Sequence, residues 1–320
     1  MSAAERNRIV ESKTEQNLPS RLDPVIEERF ATIDGARMRY LRAGSGPPLI
    51  LLHGLMAYSF SWRLNIPALS RHATVYAVDL LGAGYSDRPA QLDCRLCSIA
   101  ERVLKFLDAV GVSSFDLLGT SHGGAVAMIA ASMCAQRSDL RLRKLILVAP
   151  VNPWSAHGRR LAPFLGSPLG STLFLRSVNH MRWTFPYWLA RLYGDSKRIP
   201  PGTLEGYQAP VSVPGSFEYA VGIVRHWTDD LRALEQTIPQ LAEVPTLLIW
   251  GSADPAVYAQ SSQQLRRHFK QCEVVVYPGV GHLPYEEVPE QFNSTLVEFL
   301  TRASADRAPD RFVNPLALDK

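Results

Sequence analysis

What this 320-residue chain has little of narrows its function first. It has only four cysteines. Cys94 and Cys97 form a C-x-x-C, but Cys134 and Cys272 stand far apart, so no second pair completes the ligand set of a zinc site. Reduced, structural thiols in a cytoplasm are the expectation. Neither sign of charge dominates: 34 Lys and Arg stand against 30 Asp and Glu, a formal net charge of +4, and the bases read as scattered among the acids. That balance offers no basic run to grip a phosphate backbone, and nucleic acid is not an expected partner. The N-terminal MSAAERNRIVESKTEQNLPS lacks the apolar core of a signal peptide. The longest mildly apolar stretch, Leu117 to Ala135, carries Ser121, His122 and paired glycines and is too polar to span lipid. Internal repeats and low-complexity tracts are missing as well.

What is present is the composition of a globular protein, 46% hydrophobic and 20% charged, long enough to bury a large core. One domain with an insertion fits this length better than two domains. Residues 1–24 are polar and unpatterned and read as an arm. Phe30 to Ile33 and Ala36 to Leu41 flank Asp34-Gly35, a dipeptide that supplies the positive φ angles of a two-residue hairpin turn. Leu49 to Leu52, Thr74 to Leu80, Lys144 to Ala149, Thr246 to Trp250 and Glu273 to Tyr277 are continuous apolar runs, the pattern of strands buried on both faces. Ser59 to Ser70, Cys97 to Val110, Ser261 to Phe269 and Val288 to Leu300 have helical spacing. The alternation predicts an α/β fold: a mostly parallel, eight-stranded sheet flanked by helices, built from residues 25–150 and 241–302. Residues 151–240 break the alternation. They are rich in Trp, Phe, Tyr, Arg and Pro, with helical patterns over Tyr187 to Tyr193 and Phe217 to Leu234, and read as a helical cap over a pocket. Residues 303–320 form a second tail.

The chemistry centres on Phe115 to Met128, FDLLGTSHGGAVAM, in which an apolar strand breaks at Gly119-Thr120-Ser121-His122-Gly123 and continues as a small-residue helix. This is a G-x-S-x-G in the strand, turn and helix context that exposes a serine at the apex. A serine hydroxyl is a weak nucleophile and needs a base, with a third group to orient that base. His282 follows the last strand in a glycine-flanked loop and is the expected base. Asp254 follows the preceding strand and is the expected acid, giving the order Ser121, Asp254, His282. The rival bases are His122, His157, His180 and His226. The rival acids Asp229, Asp230, Glu286 and Glu287 are expected to be solvated charges. Backbone N–H groups of Leu55 and His122 are the expected oxyanion donors, with His53 shaping the first of these turns. No metal or cofactor is called for.

With these residues in hand the chain resembles the α/β-hydrolase superfamily, in its cap-bearing branch of esterases, haloperoxidases, carbon-carbon hydrolases and epoxide hydrolases. The matching segments are HGL at 53–55, DLLGAGYSDRP at 79–89, GTSHGG at 119–124, WGSADP at 250–255 and GVGHLPYEE at 279–287. Epoxide hydrolases and haloalkane dehalogenases carry Asp where this chain has Ser121. Carbon-carbon hydrolases usually show HGSGPG-like glycines where this chain reads HGLMAY. The resemblance therefore implies a serine hydrolase cleaving carboxylic esters of small to medium apolar or aromatic substrates through an acyl-enzyme, of the carboxylesterase kind. A carbon-carbon hydrolase with the same triad and a non-catalytic receptor are the alternatives. Trp154, Trp183, Phe185 and Trp188 are expected to line the substrate pocket, and Arg182, Arg191 and Arg225 are the cations available for an anionic substrate. A small-molecule substrate is the expected partner, a cytoplasmic location is expected, and homo-oligomerisation is left open.

Overall fold

The computed structural model describes residues 24–155, 162–178, 180 and 182–302. Both expected tails and His157 lie outside the described residues. Strands β1 (Ile26–Ile33) and β2 (Ala36–Ala43) pair antiparallel in the register Ile33↔Ala36. The two turn residues between them, Asp34 and Gly35, have φ of 50° and 80°, the left-handed pair that matches the twist of the flanking strands. Strands β3 (Pro48–Leu52), β4 (Thr74–Val78), β5 (Ser114–Thr120), β6 (Arg141–Val148), β7 (Thr246–Gly251) and β8 (Cys272–Tyr277) complete one sheet in the order β1-β2-β4-β3-β5-β6-β7-β8. All pairs from β4 to β8 are parallel.

The sheet's two faces are covered by helices. Helices α1 (Ile66–Leu69), α2 (Leu96–Ala109) and α3 (His122–Cys134) cross over in the first half. Between β6 and β7 come α4 (Ala162–Gly166), α5 (Pro168–Ser177), α6 (Phe185–Arg191), α7 (Thr203–Val211) and α8 (Ser216–Thr237). Helices α9 (Ser261–Arg266), α10 (Pro284–Glu287) and α11 (Pro289–Thr301) follow. One face packs Ile50, Leu117 and Leu145 against α2 and α3, joined by Ile223, Leu231 and Leu234 of α8. The other packs Leu49, Leu118 and Ile249 against Trp62, Tyr285, Phe292 and Leu296. Each such fully buried side chain contributes roughly 1.5–3 kcal/mol, which is why the central strands have no polar alternation.

One expected helix is broken. Ser59 to Ser70 divides into a 3-10 turn over Ser59–Trp62 and the short α1. Pro67 stands in the first turn of α1, where its missing N–H costs nothing; it could not continue a helix begun upstream. Because β3 and β5 to β8 run in one direction, the loops after them open along one edge of the sheet. Those loops carry His53 to Met56, Ser121, Asn152, Asp254 and His282. Among the described residues no helix is long and apolar enough to cross a membrane.

Candidate active site

The turn at Ser121 is fixed by backbone contacts. Ser121 adopts φ 53° and ψ −122° between β5 and α3, a conformation costing a non-glycine residue about 1–3 kcal/mol. Its N–H donates to Val148 O at 2.9 Å, and its carbonyl accepts from Gly124 N at 3.0 Å and Val151 N at 2.9 Å. A Cβ on Gly119 would stand 2.2 Å from Gly123 O, and one on Gly123 would stand 2.2 Å from His53 O, so both positions exclude any side chain. The next turn presses on the serine itself. A Cβ on Gly54 would lie 3.1 Å from Ser121 Cβ and 3.7 Å from Ser121 Oγ.

Asp254 and His282 meet across the loops after β7 and β8. His282 Nδ1 lies 2.8 Å from Asp254 Oδ2, and both side chains are almost fully buried. The other carboxylate oxygen, Oδ1, accepts from Ala256 N at 2.7 Å and Val257 N at 2.9 Å. With an acceptor on Nδ1, that nitrogen carries the proton and Nε2 is left as the basic nitrogen. Among the described residues there is no hydrogen bond between the Ser121 hydroxyl and the His282 ring, so the direct pairing observed is the acid with the base.

The two turns beside Ser121 also present N–H groups. Neither Leu55 N nor His122 N donates to a protein acceptor among the described residues. His53 Nε2 accepts from Leu80 N at 3.1 Å, which places its proton on Nδ1, from where it donates to Gly54 O at 2.8 Å. This ring thereby holds the Gly54-Leu55 turn against the loop after β4. That loop is tied in turn by buried Asp79, whose Oδ1 accepts from Ser59 N at 2.7 Å and whose Oδ2 accepts from Arg39 Nη1 at 2.9 Å and Tyr85 N at 3.0 Å. The His122 ring is buried and lines a small cavity together with Ala125, Trp227 and Asp230. Burial, with His53 adding to it, pushes its pKa down to about 4, so the residue next to Ser121 brings a backbone donor and no charge.

Two carboxylates expected to be solvated are buried. Glu286 and Glu287 form the turn of α10 just after His282, and both tie it to the insertion. Glu286 Oε2 accepts from Arg63 Nη2 at 2.9 Å and Tyr193 OH at 2.8 Å, while Oε1 accepts from Tyr207 OH. Glu287 accepts from Gly194 N at 3.0 Å, Asp195 N at 3.1 Å and Gly281 N at 2.8 Å, and from Arg198 at 3.1 Å. His282 N itself donates to Leu192 O at 2.6 Å. Charged residues leave water only where partners meet them, and apart from Gly281 these partners come from Arg63 and residues 193–207, far away in the chain, which local sequence could not reveal. Asp230 is half-buried and accepts from Leu96 N at 3.1 Å; Asp229 is exposed beside Arg232, as expected. His180 is exposed, and His226 lies on α8 near Asp230.

Beside the Leu55 turn lies a cavity of about 490 Å³, lined by Met56, Phe174, Val178, Thr184, Phe185, Trp188, Gln208, Val211, Ser212 and Phe217. Phe185 and Trp188 are on its wall. Trp154 stacks instead on His268, ring centroids 5.0 Å apart, and Trp183 is 81% exposed. A spacing pattern gives the helix but not which side of it faces a partner when both sides carry aromatics. Met56, held at φ 59° one residue beyond Leu55, escaped the sequence reading; its place in the HGL turn is the signal that points to it. Of the candidate cations, Arg191 is exposed and donates to Tyr187 OH at 3.0 Å, Arg225 is exposed, and the Arg182 side chain lies outside what the structure describes.

The mostly parallel sheet flanked by helices agrees with the comparisons. The model of the alpha/beta hydrolase fold family matches residues 47–289, and the chain belongs to that family. It is 28% identical over 291 residues to the 2-hydroxymuconate semialdehyde hydrolase of Pseudomonas sp. (strain CF600), covering 85% of this chain and 93% of that enzyme. Among solved structures it is similar to a mutant of the meta-cleavage product hydrolase CumD, with TM-score 0.71 and 25% identity, covering 86% of this chain and 98% of that one. It is also similar to a bacterial membrane phospholipase A, with TM-score 0.69 and 27% identity, covering 86% of each chain. The chain is therefore a hydrolase of the α/β-hydrolase fold.

Proposed function

We propose that this protein is a serine hydrolase that cleaves carboxylic esters with an apolar acyl group, using Ser121, His282 and Asp254. The observation that carries the reading is the buried Asp254–His282 hydrogen bond, set on the same sheet edge as a serine strained into an elbow. In this mechanism Ser121 Oγ attacks the acyl carbonyl while His282 Nε2 accepts the hydroxyl proton, and Asp254 stabilises the imidazolium. The carbonyl oxygen becomes an oxyanion and accepts from the N–H groups of Leu55 and His122. Collapse expels the alcohol, which takes the proton from His282. Water then attacks the acyl-enzyme with His282 again as base, and the acid is released with Ser121 restored.

The acyl group is assigned to the cavity beside Met56, and residues 151–240 are taken as the cap that roofs it. Among the described residues its lining side chains are apolar or neutral and offer a charged substrate no partner, at a cost of several kcal/mol. That favours uncharged esters over anionic ring-cleavage products. The second reading is carbon-carbon hydrolysis with the same triad, favoured by the likeness to the 2-hydroxymuconate semialdehyde hydrolase. Measuring kcat/KM on a p-nitrophenyl acyl series and on a ring-fission diketone decides between them. The ester reading expects higher values on the acyl series, rising with chain length to a medium chain. A preference for the diketone would replace it with the second reading, and no turnover of either would leave only a receptor.

A further inference from the structure

The whole-chain balance of charge conceals a local imbalance. Between Val151 and Gly194 there are five arginines, Arg159, Arg160, Arg176, Arg182 and Arg191, and no Asp or Glu. The other half of the insertion, residues 195–240, carries six acids and four bases. The arginine-rich half also exposes its large apolar side chains. On α5, Leu169 is 68% and Leu173 51% exposed, spaced one turn apart with exposed Arg176 following; Phe164 of α4 is 52% exposed. On and before α6, Trp183 is 81%, Tyr187 58% and Trp188 57% exposed, with exposed Arg191 following. Both helices thus present an apolar stripe that ends in an arginine. Scattered exposed hydrophobics need no explanation, but a cluster of this size does.

We propose that this face of α5 and α6 adsorbs to an anionic lipid surface. Trp and Tyr favour the depth of the headgroups, Leu and Phe dip into the acyl boundary, and arginines pair with anionic headgroups, while residues 151–194 contribute no carboxylate. Charge complementarity selects this occupant: a stripe meant for a second copy of the chain would bring the exposed Arg176 and Arg191 of both copies together at the interface. The site connects to the cavity, since Phe174 and Val178 at the end of α5 and Phe185 and Trp188 of α6 form part of its wall. Trp188 contributes to both surfaces. The consequence rests on the reading of that cavity as the acyl site: an apolar ester dissolved in the bilayer reaches it without crossing water.

The test is flotation of Ser121→Ala protein with vesicles of phosphatidylcholine alone and with about 30% phosphatidylglycerol. Binding is expected only to the anionic vesicles, and is expected to fall steeply with added salt. Arg176→Glu is expected to weaken it on the order of tenfold, and Leu173→Glu with Trp183→Ser to abolish it. On a soluble acetyl ester the same substitutions, made with Ser121 intact, should leave kcat/KM unchanged and so show a folded enzyme. Equal binding to both vesicle types, or to neither, overturns the proposal. So does a dimer in light scattering that Leu173→Glu with Trp183→Ser dissociates. Failure here leaves the soluble-ester activity in place, whereas failure of the ester reading removes that activity and leaves flotation intact.

Discussion

Around Ser121 the chain is held by its backbone, and the insertion that carries Trp188 is held by backbone and side chains together. At the elbow, missing Cβ atoms on Gly119 and Gly123 let carbonyls approach to distances no substituted residue tolerates, and Ser121 is locked by four backbone hydrogen bonds. The insertion has close backbone approaches too, at Gly170 against Phe164 O and at Gly194 against Gly279 O, but adds side-chain anchors to them. It is fastened by Tyr193, Tyr207, Arg198 and the Gly194-Asp195 amides to two glutamates of α10, and by the apolar face of α8 to the core. A backbone-locked turn admits one sequence pattern, while a side-chain clasp can be rebuilt with many. The first kind of region keeps chemistry fixed, and the second can vary substrate without disturbing it.

The sharpest break of this comparison is at the triad. Asp254→Asn keeps two backbone acceptor contacts but presents the wrong group to His282 Nδ1, so kcat is expected to fall on the order of 10⁴-fold with an unchanged melting temperature. A loss smaller than that of an Asp229 substitution would move the acid elsewhere. The insertion should respond in the opposite way. Glu286→Ala leaves Arg63 without its buried counter-charge, takes the carboxylate acceptor from Tyr193, and leaves Tyr207 with Ser61 Oγ as its partner. Urea unfolding should register a loss of about 3–5 kcal/mol, the cost of breaking such a pair. A midpoint within error of the wild type would show that the clasp holds nothing.

A buried charge in the core gives the next effect. Asp116 of β5 sits beside Arg143, and burial raises its carboxyl to about 6 although Arg143 and Lys144 pull it down. The native state then holds this proton to higher pH than the unfolded chain does, so stability is lost as pH rises from about 4 to about 6. Relative to Asp116→Asn, the wild type should lose up to about 3 kcal/mol between pH 4 and pH 7, read from urea midpoints at both. A constant difference would remove the shift. Smallest is Phe185→Ala on the cavity wall. It should lower kcat/KM for a medium-chain ester about tenfold and leave an acetyl ester unchanged. Equal losses on both would place the acyl group elsewhere.

How legible each region was follows from the same difference. The hairpin at Asp34-Gly35, the apolar strands and the motifs at 53–55, 119–124, 250–255 and 279–287 are local constraints, and each is visible in a few consecutive residues. The split of Ser59 to Ser70 was present in the sequence as Pro67, outweighed by the helical spacing around it. Burial of Glu286 and Glu287 was not visible, because their partners lie near Arg63 and in residues 193–207. In the insertion the aromatics were correctly seen as abundant, but helical spacing does not separate Phe185, on the cavity wall, from Trp183, turned to solvent. The insertion's arginines were in plain view, but the absence of Asp and Glu from residues 151–194 was averaged away by counting charge over the whole chain.

The central claim is that Ser121 is the nucleophile, and a fluorophosphonate probe tests it most directly. Peptide mapping after labelling should place a single covalent adduct on Ser121, lost in Ser121→Ala and strongly slowed in Asp254→Asn. An adduct on another residue that persists in Ser121→Ala, or no adduct on protein that hydrolyses esters, would contradict it.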